Sequence, residues 1–236
     1  MTDSLVTYEL DGHVAVLRID DGKANAISHA LADQFHDALT QAEANGVKAV
    51  AVVGREGRFS AGFDLKTMQA GPDEARDLLR VGAELALRLF LFPSPVVLGV
   101  TGHALAMGAI LLMASDVRIG AEGAFKIGLN EVSIGMPVPL FAIDLAQESL
   151  ARQHLNAAIN LAQVYDPVGA VRVGFLDEVV AADAVVPTAI ERAHLLGEGL
   201  RRGAFKLTRD NVRRDAAGRL RQHLVTDLET FTVEGM

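Results

Sequence analysis

The feature that most constrains this chain is a run without Lys, Arg, Asp or Glu between Arg88 and Asp116. Within it, residues 95–102 (PVVLGVTG) are β-branched and apolar, residues 103–109 (HALAMGA) are small, and residues 110–115 (ILLMAS) are apolar again. This order predicts a buried strand, a turn of small residues and a short helix. Such a turn leaves backbone N–H groups free, so it can hold an anion or a carbonyl oxygen that becomes one.

The same run is long enough to be considered as a membrane span. Pro93, Pro95, Gly99, Gly102 and Gly108 interrupt it, and its first half has the composition of a strand. We therefore expect no membrane partner. The whole chain carries a net charge of −8 and a pI near 5.3. This balance argues against a nucleic acid as partner, since nucleic acids favour a basic face.

The chain has no cysteine, which excludes disulfides and thiolate metal sites. Its first twenty residues lack the basic-then-apolar pattern of an export signal. From these two features we expect a cytoplasmic protein without a metal.

Strand-like and helix-like segments alternate through the first three quarters of the chain, and helices dominate the rest. The pattern predicts a hairpin over residues 5–20 with its turn at Asp11-Gly12, a helix over 29–44 and a buried strand over 47–54. It predicts a loop over 55–66. Further helices are expected over residues 77–92, 140–150, 151–162, 166–174, 184–202 and 203–230. This alternation is typical of an α/β fold made of repeated ββα units.

Two turns of small residues match each other in kind. One is residues 58–66 (RFSAGFDLK), after the strand that ends at Gly54, and the other is residues 102–109 (GHALAMGA). If both present a backbone N–H to one point, they form an oxyanion hole, where each donor contributes on the order of 2.7–4 kcal/mol. Either turn alone is also compatible with an ordinary loop.

Several spaced motifs occur in an order that resembles the crotonase family, the enoyl-CoA hydratases and isomerases. They cover most of the chain: LRIDDGKANAIS (17–28), GRFSAGFDLK (57–66), the long run with its flanks (93–122), GLNEVSIGMP (128–137) and DPVGAVRVGFLDEVV (166–180). The resemblance implies a crotonase-like spiral of ββα units over residues 1–190. It also implies a C-terminal helical region over 191–236 that joins subunits into a homotrimer or a dimer of trimers.

The resemblance also implies an acyl-CoA substrate and no separate cofactor, since coenzyme A is part of the substrate. It assigns the two oxyanion donors to the backbone N–H groups of Phe63 and Met107. Phe63 is bulky where the family usually has a small residue. The residues that the resemblance places along coenzyme A are Lys23, Ala24, Ser60, Ala61, Asp64, Leu65 and Lys66. Taken by itself, Asp64 is more typical of a turn or helix cap than of a second acid.

The carboxylates separate the activities within this family. Family hydratases use two glutamates; one of these positions is Glu131 here, and the other is Ile110. Isoleucine cannot take or give a proton, whereas moving a double bond needs only one base. We therefore expect Glu131 to catalyse enoyl-CoA double-bond isomerisation. A hydratase that manages without the second acid and a CoA-binding protein without turnover remain alternatives.

Two further expectations concern charged residues outside the site. Asp116 is expected to be structural, paired with Arg118. The C-terminal arginines are expected to form a solvated helix face or a subunit contact; they are Arg201, Arg202, Arg209, Arg213, Arg214, Arg219 and Arg221.

Overall fold

The computed structural model describes residues 4–231, which form two β-sheets surrounded by helices. The predicted α/β class is confirmed. The strands are β1 (Val6–Asp11), β2 (Val14–Ile19), β3 (Ala49–Val53), β4 (Gly57–Ser60), β5 (Val96–Val100), β6 (Gly102–Leu105), β7 (Val117–Ala121), β8 (Ile127–Gly128) and β9 (Glu178–Val180). The α-helices are α1 (His29–Ala44), α2 (Leu65–Met68), α3 (Pro72–Phe90), α4 (Met107–Met113), α5 (Leu140–Ser149), α6 (Pro167–Val173), α7 (Val185–Gly199), α8 (Arg202–Val212) and α9 (Arg214–Thr230).

The larger sheet has the strand order β1-β2-β3-β5-β7-β9, and only the β1–β2 hairpin is antiparallel. Its central strands β3 and β5 are buried on both faces. On one face, Val14, Ala51 and Val97 pack with Ala189 and Ala193 of α7. The opposite face joins the main core, which includes apolar residues of α1, α3 and α4. Burial on both faces explains why these strands are continuous apolar runs.

The smaller sheet consists of the parallel strands β4, β6 and β8. A Cβ on Gly102 would lie 2.0 Å from the carbonyl carbon of Gly57, so β4 and β6 can approach only because residue 102 is glycine. The prediction of a loop over 55–66 is therefore wrong, because this segment contains β4 and the start of α2. The turn predicted at 103–109 likewise begins as strand β6. Strands of four residues are too short to show a periodicity in the sequence.

The largest differences between the observed and the predicted helices are in three places. Helix α3 begins at Pro72, five residues early, with Asp73 and Glu74 in its exposed first turn. Residues 151–162, predicted as an α-helix, form a 3₁₀ turn at 152–154 and a π-helical turn at 156–160. The helix predicted over 203–230 is divided into α8 and α9, since the backbone leaves helical geometry at Arg213 (φ −93°, ψ 3°).

The pairing predicted between Asp116 and Arg118 is wrong. Arg118 instead pairs with Asp177 at 2.8 Å, from the loop before β9. Asp116 binds the guanidinium groups of Arg209 and Arg213 and accepts a hydrogen bond from Val96 N at 2.8 Å.

The arginine run is therefore only partly a solvated face. Arg209 is buried and also donates to the carbonyl oxygens of Phe92 and Ser94, while Arg213 donates to the carbonyl of Phe90. These bonds attach α8 and α9 to the segment that precedes β5. The division predicted at residue 190, between the ββα core and the C-terminal helical region, stays a prediction. Helix α7 runs across this position without a break.

Helix α9 packs against α5 and α3. Asp227 of α9 accepts hydrogen bonds from Leu140 N (2.8 Å) and Phe141 N (3.0 Å), the first residues of α5. His223 lies 2.7 Å from the buried Asp144 of α5. Asp227 thus replaces the side-chain cap that Pro139, which precedes α5, cannot provide. Across residues 4–231, no helix is both long and apolar enough to cross a membrane.

Candidate active site

The two turns of small residues meet at the end of the smaller sheet. A Cβ built on Gly108 would lie 2.5 Å from the carbonyl oxygen of Ser60, and one on Gly62 would lie 2.9 Å from Ala106 Cβ and 3.6 Å from Met107 N. Gly62 also has φ +102°, a left-handed conformation that favours glycine. The two glycines thus permit the contact that brings the turns together.

Asn25 holds the turn that follows β4 in place through hydrogen bonds. It is fully buried, and its Nδ2 donates to the carbonyl oxygens of Ile19 (2.8 Å) and Phe59 (3.2 Å). Its own carbonyl accepts a hydrogen bond from Ser60 Oγ at 2.7 Å, and Ala61 N donates to Ala24 O at 3.0 Å. The segment before α1 and the end of β4 are therefore held as one unit. The Ser60 hydroxyl is used inside this unit.

Both predicted oxyanion donors have unused backbone N–H groups. Ile27 bonds the residues on either side of Phe63, since Ile27 N donates to Gly62 O (2.8 Å) and Asp64 N donates to Ile27 O (3.0 Å). Ala106 N donates to Gly128 O at 3.1 Å, and Met107 follows as the first residue of α4. Within residues 4–231, neither Phe63 N nor Met107 N has an acceptor. Free N–H groups on two contacting turns are what an oxyanion hole requires.

The turns border a mainly apolar cavity of about 420 Å³. Eight of the residues singled out from the sequence line it: Ala24, Ala61, Phe63, Asp64, Leu65, Lys66, Ile110 and Glu131. Lys23, Ser60 and Met107 do not line it; Lys23 is exposed, and the side chains of the other two are buried. Met136, Pro137 and Pro139 also line it, in a segment that the family resemblance places at the acyl pocket. Seven lining residues were missed: Ala26, Met68, Leu79, Ala106, Asn130, Ile134 and Phe231.

Glu131 follows β8 and begins a single 3₁₀ turn at Val132–Ile134. The residue is 5% exposed, and its Oε2 accepts no hydrogen bond from the described residues. Burial raises the pKa of its carboxyl group to about 7, although nearby backbone N–H groups of Glu131 and Asn130 act in the opposite direction. A carboxylate in this state can take a proton and return it near neutral pH.

Ile110 lies in α4, three residues after Met107, and is almost fully buried in the cavity wall. The position that the family resemblance gives to a second acid therefore presents hydrocarbon. Asp64 does not replace that acid. It caps α2 through hydrogen bonds to its Oδ1 from Thr67 N and Thr67 Oγ1, both 2.8 Å, and these bonds lower the pKa of its carboxyl group. The sequence interpretation of Asp64 as a cap is confirmed.

Phe63 fits at its position because Gly82 of α3 makes room for the ring. A Cβ on Gly82 would lie 2.4 Å from Phe63 Cε1 and 3.2 Å from Met107 Sδ. The side chains of Phe63 and Met107, the two residues with unused N–H groups, thus both pack against Gly82. This contact fixes the two turns relative to α3 as well as to each other.

The missed residues differ in whether any pattern in the sequence marks them. Asn130 precedes Glu131 within the motif GLNE, so its closeness to the carboxylate could have been expected. Phe231 reaches the cavity from the end of α9, one hundred residues after Glu131, and no local pattern marks it. In residues 4–231 there is no cluster of three or more His, Cys, Asp or Glu that could hold a metal ion.

Comparison with known proteins agrees with this geometry. The family described as enoyl-CoA hydratase/isomerase matches residues 9–234. A solved enoyl-CoA hydratase/isomerase family protein from Pseudomonas syringae is 38% identical, with a TM-score of 0.94 over 97% of this chain and 98% of that one. A solved enoyl-CoA isomerase from Mycobacterium tuberculosis is 36% identical, with a TM-score of 0.92 over 97% and 99% of the two chains.

A probable enoyl-CoA hydratase from Bacillus subtilis is 36% identical over 140 residues, which are 58% of this chain and 54% of that relative. Relatives are thus named both as hydratases and as isomerases. The family match spans nearly all of the described chain, and each of the two solved relatives aligns with 97% of its length. The chain therefore has the crotonase fold, belongs to the enoyl-CoA hydratase/isomerase family and is an enzyme of this type.

Proposed function

We propose that this enzyme converts 3-enoyl-CoA thioesters into 2-enoyl-CoA thioesters, with Glu131 as its only acid/base. The observation that carries the proposal is the contrast in the cavity wall. Glu131 is buried, its Oε2 has no hydrogen-bond partner among residues 4–231, and burial raises its pKa to about 7, whereas the side chain of Ile110 is hydrocarbon. One base with a pKa near neutrality is sufficient for a double-bond shift.

The reaction follows from these groups. The thioester oxygen accepts hydrogen bonds from Phe63 N and Met107 N. The Glu131 carboxylate removes a proton from C2, and the electron pair of that C–H bond moves into a dienolate whose negative charge lies on the thioester oxygen. The dienolate then takes the proton back from the Glu131 carboxylic acid at C4. The double bond has moved from C3–C4 to C2–C3, and the enzyme returns to its starting protonation state.

Coenzyme A would lie along the outer rim of the cavity in this proposal. Ala24 and Ala61 present small side chains there, and Lys66 of α2 supplies an exposed cation that suits a phosphate. Lys23 is exposed beside this rim, although outside the cavity lining. Asp64 and Leu65 complete the rim, and Ser60 contributes by holding the loop in place.

A variant without the base tests the proposal most directly. Glu131→Gln keeps the size of the side chain but cannot accept the C2 proton, so the isomerisation kcat should fall by about 10²–10⁴. Offering 3-enoyl-CoA and 2-enoyl-CoA separately, and following both products, distinguishes the activities. Water addition to 2-enoyl-CoA without any double-bond shift would replace this proposal by the hydratase alternative. Activity that is unaffected by Glu131→Gln would show that Glu131 is not the base. The absence of activity on every acyl-CoA would favour the non-catalytic CoA-binding protein.

The proposal extends to the setting of the enzyme. We propose a cytoplasmic homotrimer or dimer of trimers that uses no cofactor beyond the coenzyme A of its substrate, and that binds neither nucleic acid nor membrane. Family resemblance and the acidic net charge support this view. Sedimentation equilibrium of the purified protein tests the oligomer, with a monomer as the contrary result.

A further inference from the structure

A second cavity lies beside the first, and Asn130 lines both. It measures about 340 Å³. Its wall includes Leu105, Phe125, Lys126, Ser133 and Tyr165. Asn130 directly precedes Glu131, so a residue of the second cavity is the immediate neighbour in sequence of the residue that carries the reacting carboxylate.

Buried polar atoms without a partner are concentrated around these two cavities. Four buried side-chain N or O atoms in residues 4–231 lack a hydrogen-bond partner. Three of them are Asn130 Oδ1, Glu131 Oε2 and Tyr165 Oη, and all three residues line one or both cavities. Buried polar atoms that lack a protein partner are normally bound to ordered water.

The chemistry of the second cavity suits water rather than a charged ligand. Lys126 and Asp166 both line it, so its fixed charges offset each other. The amide of Asn130 and the hydroxyl of Tyr165 are neutral and can each bond a water. A cavity of this size has room for several waters.

We propose that the second cavity is a water chamber, and that a water held by Asn130 and Tyr165 exchanges the proton on Glu131 with solvent. This inference rests on the proposed function in that Glu131 must take a proton from substrate. After Glu131 has removed that proton, its carboxylic acid gives it to the water chain and receives another in return. The exchange leaves the number of protons on Glu131 unchanged. C4 of the dienolate then receives a solvent proton in place of the original one.

The experiment is isomerisation of hex-3-enoyl-CoA in D₂O under single-turnover conditions, with the deuterium at C4 of the product measured by mass spectrometry. Tyr165→Phe and Asn130→Leu each remove one polar group from the chamber. Both should lower the deuterium content per product molecule by about threefold to tenfold, the range expected for losing one hydrogen bond to the exchanging water. Tyr8→Phe is the matched control, because Tyr8 is the other tyrosine and bonds Asn45 on a separate, exposed part of the surface.

A second substrate keeps this test independent of the isomerase proposal. Hexanoyl-CoA cannot isomerise, but its C2 protons exchange with D₂O if Glu131 removes them and solvent then reaches Glu131. Exchange of hexanoyl-CoA that is slowed by Tyr165→Phe would support the chamber even if hex-3-enoyl-CoA is not converted. Equal deuterium contents in the wild-type protein, Tyr165→Phe and Tyr8→Phe would overturn it. A wild-type protein that admits no deuterium into either substrate would overturn it as well.

Discussion

Asp116 and Glu131 are two largely buried carboxylates of one chain, and their surroundings are opposite. Asp116 binds two guanidinium groups and a backbone N–H, all directed at its two oxygens. Glu131 is more deeply buried, yet its Oε2 has no partner in the described chain. The first arrangement holds the C-terminal helices to the sheet. The second leaves a carboxylate reactive, since an oxygen that is already bonded to the protein is a poorer base.

This difference shows how the fold divides its polar groups. Where a carboxylate serves the structure, the chain supplies donors from α8, α9 and the start of β5. Around Glu131, for which we propose a role in chemistry, the surroundings are apolar, and the cost appears as lower stability at high pH. The rule that buried polar groups are hydrogen-bonded is broken at Glu131 and obeyed at Asp116. Such a local exception is the usual sign of a functional position.

The largest effect is expected from removing the satisfied carboxylate. Asp116→Ala leaves Arg209 and Arg213 close together without an anion, and Val96 N without an acceptor. Losing one partner of a buried ion pair costs roughly 3–5 kcal/mol, so the free energy of unfolding should fall by about that amount. Urea denaturation measures it. Asp210→Ala is the control, since its pair with Lys206 is exposed and should cost less than about 1 kcal/mol. A similar small loss for both variants would contradict the structural role of Asp116.

Replacing the carboxylate of Glu131 should have the opposite effect to replacing that of Asp116, because it should stabilise the protein at high pH. Because the folded pKa of Glu131 is raised from 4.5 to about 7, the folded state holds this proton more tightly than the unfolded state does. Its contribution to stability is complete below pH 4.5 and is lost as the pH rises through about 7. Glu131→Gln does not ionise, so above pH 8 it should be more stable than the wild-type protein by roughly 3 kcal/mol relative to their difference at pH 4.

Thermal or urea unfolding at several pH values tests this prediction for Glu131. The matched control is Glu56→Gln, which makes the same replacement at an exposed glutamate outside the cavity. A constant difference between wild type and Glu131→Gln across this pH range would mean that the carboxylate is satisfied in solution. The contrast with Asp116 would then disappear.

A smaller effect is expected from the packing between α3 and the two turns. Gly82→Ala places a methyl group against the Phe63 ring and Met107 Sδ, and such overpacking costs about 1–3 kcal/mol. Phe63→Ala in the same chain should relieve most of that loss, so the two changes should not be additive in a double-mutant cycle. The control is Gly218→Ala in α9, where an added Cβ meets nothing within 4 Å. Additive losses would show that Gly82 has no special role in supporting the two turns.

Much of the site could be predicted from the sequence because its central parts are local. The family resemblance assigned Phe63, Met107 and Glu131, and it could do so because each of them lies within a short motif. The α/β class and the β1–β2 hairpin also follow from local periodicity and turn chemistry. The strands β4 and β6 were missed because they are short and held by long-range pairing rather than by a visible pattern.

The partners of charged residues could not be predicted in the same way. Nothing in the sequence around Asp116 indicates that Arg209, 93 residues later, binds it rather than Arg118. Charge and spacing limit which pairs are possible, but the packing of α8 and α9 decides which pairs form. For the same reason, the sequence did not predict that Phe231 lines the cavity. It also did not predict the role of Gly82, because the neighbours of Gly82 lie in two other segments of the chain.

The bond from Asp227 to the start of α5 has a consequence for how the enzyme is made. Pro137 and Pro139, which line the cavity, directly precede the helix that Asp227 caps, and Phe231 lines the same cavity. These contacts join residues almost ninety positions apart, so this part of the cavity wall cannot form while α9 is still inside the ribosome. A nascent chain can assemble both sheets and the two donor turns before that point. Its ability to enclose a substrate arises only after α9 has joined the fold.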